Sequence, residues 1–551
     1  MSNNKAPRIQ RALVLQGGGA LGAYEAGVLE VLCKKLHEED KENKREDSLL
    51  FDIVAGTSIG ATNAAILVHQ FLKTRSWVKA ADKLSKFWTN QLSIENLDIR
   101  ELSKPWYDEW IKRTATAASQ EAARRYYSVK KLLLNQVRNN MYYQCNPTID
   151  DKRFFDPNIF YSQWVLHSAK PLQDSIQEYA KFPIATEFHD KAQGQRQPRL
   201  LVFSVDVAEG VTVAFDSYPK ADGSRKSEYC NHVINYNDGI TIDHLMASNT
   251  LPEFYHYARV PTIEQEVGDI RCTTDKSKEK NIRYFWDGGL LSNTPLRELL
   301  DAHQQYWNEV KNEDKIPDLD VYIVNVHPSK MDIHILPEDY DGVKDRKNDI
   351  IFGDRTSHYD EKMAHLIADY ANFGTQMKGL VYEAISQVND EKKKQELEER
   401  LETILATKTT NKDSKAHPGR YEDLTKFAFN LKIAMRIERT NYINSVVGKI
   451  GDLTLETIKK LIEEGKCDAW FSIVQKEVID SDIAVGDKHH LIELLNKAMQ
   501  NLRKNNYEDN DSQTYHWLIE FVKALEDSEK SKIDRSTKIV KSVEAFMAII
   551  A

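Results

Sequence analysis

The chain has 551 residues, 41% of them apolar and 29% charged, with a net charge of −9. That is apolar material enough for a large core, and the length alone suggests two to four domains. The acidic balance argues against nucleic-acid binding by the molecule as a whole. Five scattered cysteines (Cys33, Cys145, Cys230, Cys272 and Cys467), none in a C-x-x-C pair, fit free buried thiols in a reducing cytosol rather than disulfides or a zinc site.

The first residues lack the apolar centre of a signal peptide. No apolar run reaches the ~20 residues that cross a bilayer. The expectation is a soluble, cytoplasmic protein whose lipid contact is peripheral.

Residues 12–15 read as a short buried strand, followed by Gly17-Gly18-Gly19-Ala20-Leu21-Gly22 and then a helix over 24–36 with Val28, Leu32 and Leu36 apolar. A glycine turn that opens a helix presents free backbone N–H groups to an anion. In an acyl hydrolase that anion is the oxyanion of a tetrahedral intermediate. The same letters fit G-x-G-x-x-G, a dinucleotide fingerprint. That reading needs an acidic residue at the end of the second strand. Here the acidic residues Glu38, Glu39 and Asp40 precede that strand, in what reads as a polar loop, so the oxyanion reading is preferred.

The second strand, residues 51–55, runs into Gly56-Thr57-Ser58-Ile59-Gly60 and a small-residue helical pattern over 61–72. Strand, G-x-S-x-G, helix is the layout of a nucleophile elbow. Gly56 and Gly60 permit a sharp turn, and the helix N-terminus beneath Ser58 favours the negative charge that an attacking oxygen develops.

A long segment, residues 73–198, then separates the elbow from the next strands. It is rich in aromatics (Trp77, Phe87, Trp88, Trp106 and Trp110 among them), and from 110 to 145 it is basic, with Lys112, Arg113, Arg124, Arg125, Lys130, Lys131 and Arg138 against the single acid Glu121. Two readings stay open. One is an interfacial lid that touches anionic lipid and shapes an acyl pocket. The other is a helical subdomain whose aromatics are core.

Asp287-Gly288-Gly289 follows the strand-like residues 282–286. An aspartate at a strand end, held by a glycine turn, can approach another backbone closely. If it reaches Ser58 it can act as general base without a histidine, provided burial raises its proton affinity. Alone, D-G-G could equally be a turn aspartate capping the next residues. Together with the other two motifs it reads as catalytic. A Ser, acid, His triad is the competitor, with His303 or His327 as base. The early nucleophile and the preceding glycine loop argue against it. Asn293 and Pro295 are expected to shape the loop behind Asp287, and Ser248 to be a buried helix residue.

Past Pro328 the pattern turns helical. Leu366, Tyr370, Phe373, Met377, Leu380 and Ala384 recur by four and three on one helix face. A packed core is the expected fate of that face, with a helical hairpin or coiled-coil arm as alternatives. Residues 427–438 alternate with period two, as a half-buried strand joining the sheet edge or a neighbour. A helix over 454–464 is expected to end at Gly465. Leu491, Leu495, Ala498 and Leu502 mark one face of a charged helical tail.

The glycine loop, G-x-S-x-G and D-G-G, present in that order, make the chain resemble the patatin-like phospholipases. Residues 199–207 and 213–217 resemble that family's central hairpin, 240–251 its helix before D-G-G, and 321–328 its late core strand. Leu21 departs from many relatives, which carry a basic residue there. The resemblance covers residues 8–330 and implies an α/β three-layer sheet with helices on both faces, with the 73–198 insertion and a mainly helical extension, 331–551, appended. It implies a Ser–Asp dyad without metal or cofactor: Ser58 as nucleophile, Asp287 as base, Gly17, Gly18 and Gly19 as oxyanion hole, and Gly22, Gly56, Gly60, Gly288 and Gly289 as supporting turns. The implied substrate is a lipid acyl ester, with transient membrane contact through the insertion, no nucleic acid, and possible self-association through the C-terminal helices. An idle lipid-binding module and an acyltransferase are the alternatives.

Overall fold

The computed structural model describes residues 7–45, 49–93, 169–189, 195–252, 255, 257–264, 281–310, 316–328, 340–353, 361–408, 420–422, 429–440, 449–505, 512–528 and 533–550. Most of the aromatic insertion, including its basic run, lies outside them.

In chain order the elements that matter for function begin with β1 (Ile9–Leu15), α1 (Gly22–Glu42), β2 (Ile53–Thr57), α2 (Ile59–Thr74), α3 (Trp77–Lys86) and α4 (Lys170–Tyr179). Next come β3 (Arg199–Asp206), β4 (Val211–Asp216), β5 (Lys226–Tyr229), β6 (His232–Asn235), α5 (Ile242–Asn249), β7 (Ala258–Glu264), β8 (Asn281–Asp287), α6 (Leu296–Gln305) and β9 (Asp318–Asn325). The remainder is α7 (Tyr340–Phe352), α8 (Glu361–Ser386), α9 (Glu391–Leu405), β10 (Leu431–Glu438) and four helices, α10 (Leu455–Asp480), α11 (Val485–Lys504), α12 (Ser512–Ser528) and α13 (Ile533–Ile550).

The described strands form one sheet in the order β10-β9-β1-β2-β3-β8-β7-β6-β5, with β4 also paired to β3. From β10 to β3 the pairs are parallel, and from β3 through β8 to β5 they are antiparallel. Parallel strands are buried on both faces, which is why they read as unbroken apolar runs. Their side chains divide by the period of two: Leu13, Leu15, Val54, Leu200 and Val202 enter one core layer, while Ala12, Val14, Ile53, Ala55, Leu201 and Phe203 enter the other. Helices α1, α2 and α3 cover the first face, and α6 with Trp307 covers the second. This is the expected three-layer α/β arrangement.

The C-terminal region is built into this layer system. β10 pairs in parallel with β9, and α10 lies against α1. At that crossing the two helix backbones touch. A Cβ on Gly465 would stand 2.1 Å from the Tyr24 carbonyl oxygen, and one on Gly27 2.0 Å from that of Ile462. Two polar links flank the crossing: Tyr24 Oη donates to Asp468 at 2.9 Å, and the buried Arg439 donates to Glu464 at 3.0 Å. Helices α10–α13 share a separate apolar core that includes the expected Leu491, Leu495, Ala498 and Leu502.

Several sequence expectations change here. Glu38, Glu39 and Asp40 sit in the last turns of α1, not in a loop, and Asp40 takes two 2.7 Å hydrogen bonds from Arg11. Gly465 does not end its helix, because that residue serves the close crossing rather than a cap. β10 does not alternate simply: a bulge between Ile433 and Met435 moves the inward residues from one face to the other. The apolar face of α8 is exposed rather than packed. Trp77, Phe87 and Trp88 are fully internal core residues, so the interfacial reading does not apply to them. Cys33 and Cys467 are buried, but Cys230 is exposed. No described helix is long and apolar enough to cross a membrane.

Candidate active site

The sheet register brings the two candidate catalytic side chains together. Along one edge of β3, β2 pairs as far as Thr57 opposite Phe203. The next position, Ser204, pairs with Asp287 of β8. The opposite edge of β3 is taken by β4, so β2 and β8 share an edge. β2 runs up that edge and β8 runs down it, and their C-terminal ends meet head to head. Ser58 and Asp287, 229 positions apart in the chain, are therefore set at one point by strand pairing alone.

Ser58 occupies the turn between β2 and α2 with φ 56° and ψ −128°. Positive φ is costly for a residue with a Cβ and tends to be held where function needs it. The turn fits because its flanks lack side chains. A Cβ on Gly56 would lie 2.4 Å from the Gly60 carbonyl oxygen, and one on Gly60 2.5 Å from that of Leu15. The Ser58 N–H donates to Ser248 Oγ at 2.8 Å, and Ser248 Oγ in turn donates to the Phe203 carbonyl. Ser248 is thus buried on α5, as expected, but it also holds the elbow backbone. Nothing in the sequence pattern around it signals that task.

Asp287 is 1% exposed. Its N–H donates to the Thr250 carbonyl at 2.8 Å, and its Oδ1 accepts from Gly289 N–H at 2.8 Å. Gly288 is pressed against the Phe203 backbone, where no side chain would fit. Oδ2 is buried and meets no donor in good hydrogen-bond geometry among the described residues. The Ser58 hydroxyl nonetheless acts on the carboxylate as a neighbour that favours its charged form. Burial outweighs that help and pushes the carboxyl up to about 7. A base of that strength is matched to neutral pH.

The glycine loop lies over Ser58. A Cβ on Gly17 would come 2.8 Å from Ser58 Cβ and 2.4 Å from Asn293 Oδ1. Gly18 faces Val326 and His327. Gly19 has φ +56° and sits against the Ile450 carbonyl, which a Cβ would approach to 2.3 Å. Gly22 opens α1 against Trp88 and Ile59. Side chains fasten this loop from behind. Gln16 Oε1 accepts from the N–H groups of Val326 and His327 at 2.8 and 2.9 Å. Asn293 Nδ2 donates to the Gly17 carbonyl at 3.0 Å and to that of Phe352 at 2.7 Å. Asn293, expected to shape the loop behind Asp287, thus fastens the glycine loop through Gly17, and Pro295 precedes α6. Under the loop, Asn63 Nδ2 donates to Gly22 O at 2.9 Å and to Glu25 Oε2 at 2.8 Å, tying α2 to α1. Burial holds the Glu25 carboxyl well above the usual range.

Neither histidine of the triad alternative has a hydrogen bond to Ser58 among those of the described residues. His303 is fully buried on α6, and its Nε2 bonds the Pro317 carbonyl just before β9 begins, at the end of the sheet opposite Ser58. His327 pairs through Nδ1 with Asp349 at 3.1 Å, and its Nε2 comes 3.4 Å from where a Cβ on Gly18 would stand. It faces Gly18, whereas Ser58 faces Gly17.

Comparison with known proteins places the chain in a family. A family model described as patatin-like phospholipase matches residues 13–300. A comparison with curated proteins gives no match. Among solved structures, the crystal structure of VipD from Legionella pneumophila aligns over 99% of this chain and 86% of its own, at 13% identity and a TM-score of 0.23. Agreement that slight carries no argument about fold or function.

Proposed function

Because the chain belongs to the patatin-like phospholipase family, we propose that it hydrolyses acyl esters of lipids through a dyad of Ser58 and Asp287. One observation carries this reading: β2 and β8 end against each other on one edge of β3, with the buried carboxylate of Asp287, raised to about 7, beside the strained Ser58.

Ser58 Oγ attacks the ester carbonyl carbon while its proton passes to Asp287 Oδ2, the oxygen not taken by Gly289. The carbonyl oxygen becomes an oxyanion. Gly17 N–H already donates to the Asn293 carbonyl at 3.4 Å, which leaves those of Gly18 and Gly19 as its donors. The C–O bond to the alcohol then breaks, and Asp287 returns the proton to the departing oxygen. Water attacks the acyl-Ser58 with Asp287 again accepting a proton. The acid leaves and Ser58 recovers its hydrogen. No histidine is needed, because burial supplies the basicity that a carboxylate ordinarily lacks.

The choice of phospholipid or lysophospholipid as substrate, and membrane contact through the basic run within residues 73–198, are part of the same proposal. Lipid-class profiling of hydrolysis by the wild type against Ser58→Ala tests it, alongside labelling with a fluorophosphonate. Release of fatty acid from phospholipids by the wild type alone, with an adduct on Ser58, supports the reading. An unlabelled Ser58 in a folded protein would mean that the dyad is idle. Capture of the acyl group by an added lysolipid, in place of release to water, would make the enzyme a transferase.

A further inference from the structure

We propose that the outward face of α8 is a self-association surface, occupied by the same face of a second copy of this chain. Helix α8 buries the wrong residues for a surface helix. Ala368 and Ala371 are buried and Ala364 packs on the sheet core, while Asn372 Nδ2 donates to the Phe429 carbonyl at 3.3 Å. Its large apolar residues point away. Met363 is 51% exposed, Leu366 47%, Ile367 55%, Tyr370 68%, Phe373 63%, Met377 42% and Leu380 59%. A helix of a self-contained globule normally does the reverse.

The spacing identifies the kind of partner. Leu366, Tyr370, Phe373, Met377, Leu380 and Ala384 recur by four and three without a break. That 3.5-residue period keeps a seam facing another helix as the two supercoil. A lipid surface makes no such demand, and it would favour a Lys/Arg-rich polar face. Helix α8 has two lysines, Lys362 and Lys378, against Glu361, Asp369 and Glu383. The size also fits. Roughly half of each of seven large side chains amounts to about 700–800 Å² per copy, and a stable pair buries about 800 Å² per partner. Two copies related by a twofold axis supply the facing helix and cover both seams at once. The inference is independent of the dyad.

The test is sedimentation of the full chain across the micromolar range, wild type against the double variant Tyr370→Lys, Phe373→Glu, with melting temperature, ester hydrolysis and pelleting with phosphatidylcholine–phosphatidylglycerol vesicles measured on both. The expected result is twice the chain mass for the wild type and the single mass for the variant, with turnover unchanged. A wild type of single mass throughout overturns the proposal. If that monomer's vesicle pelleting is lost in the variant, the occupant is lipid. If its melting temperature falls in the variant, the occupant is another segment of the same chain. A variant that keeps the double mass overturns the proposal as well, by assigning the contact to a different surface.

Discussion

At the scale of single residues the site turns on one carboxyl group. Asp287 titrates at about 7 in the folded chain because it is buried, and near 4 when unfolded. Between those values the folded state holds a proton that the unfolded state has lost, so the group's contribution to stability falls as pH rises from about 4 to about 7. Two outcomes follow. Turnover at low substrate should rise with pH through an apparent pKa near 7, measured as kcat/KM in a pH series. Asp287→Asn should lose about 10²–10⁴ in turnover yet unfold at higher denaturant than the wild type at pH 8, by on the order of a few kcal/mol, with the gain vanishing near pH 4. Ser248 gives a third expectation. Removing its hydroxyl (Ser248→Ala) leaves Ser58 N–H and the Phe203 carbonyl without their bridge. It should lower kcat with little change in KM and cost about 1–3 kcal/mol in chemical denaturation.

Elements decide how those residues meet. The elbow, the glycine loop and the D-G-G turn were legible in the sequence because each is a local signature: a fixed glycine spacing after an apolar strand. Their convergence was not legible. It depends on β8 entering antiparallel on the edge of β3 that β2 vacates, a long-range pairing with no local mark. The same limit explains Gly465. Its setting in the sequence suits a helix end, yet α10 continues because α1 presents a second glycine, Gly27, at the crossing. A methyl group there would meet backbone rather than a movable side chain. Gly465→Ala should therefore cost about 1–3 kcal/mol by overpacking, read as a lower melting temperature, whereas Gly486→Ala, which meets nothing within 4 Å, should leave it nearly unchanged. The outward stripe of α8 was visible as a pattern, but period alone cannot say whether a stripe faces a core or a partner.

Across the whole molecule, the catalytic layers and the C-terminal region are mechanically continuous. The Ile450 carbonyl rests on Gly19, β10 pairs along β9, and α10 packs on α1, the helix that the glycine loop opens. A chain cut at residue 330 would expose the β9 edge and the α1 face, so it should be insoluble or inactive when expressed alone, as judged by soluble yield and hydrolysis. Sequence composition had marked the change of character near Pro328, and the period of two over 427–438 had marked a strand for the sheet edge or a neighbour; the pairing of β10 with β9 puts it at the sheet edge. The most direct trial of the dyad is to compare kcat/KM for one ester substrate in Asp287→Ala and His327→Ala, each verified as folded. The aspartate variant should lose about 10²–10⁴ in rate while the histidine variant keeps most of its turnover. Near-normal turnover without Asp287, together with its loss without His327, would contradict the account.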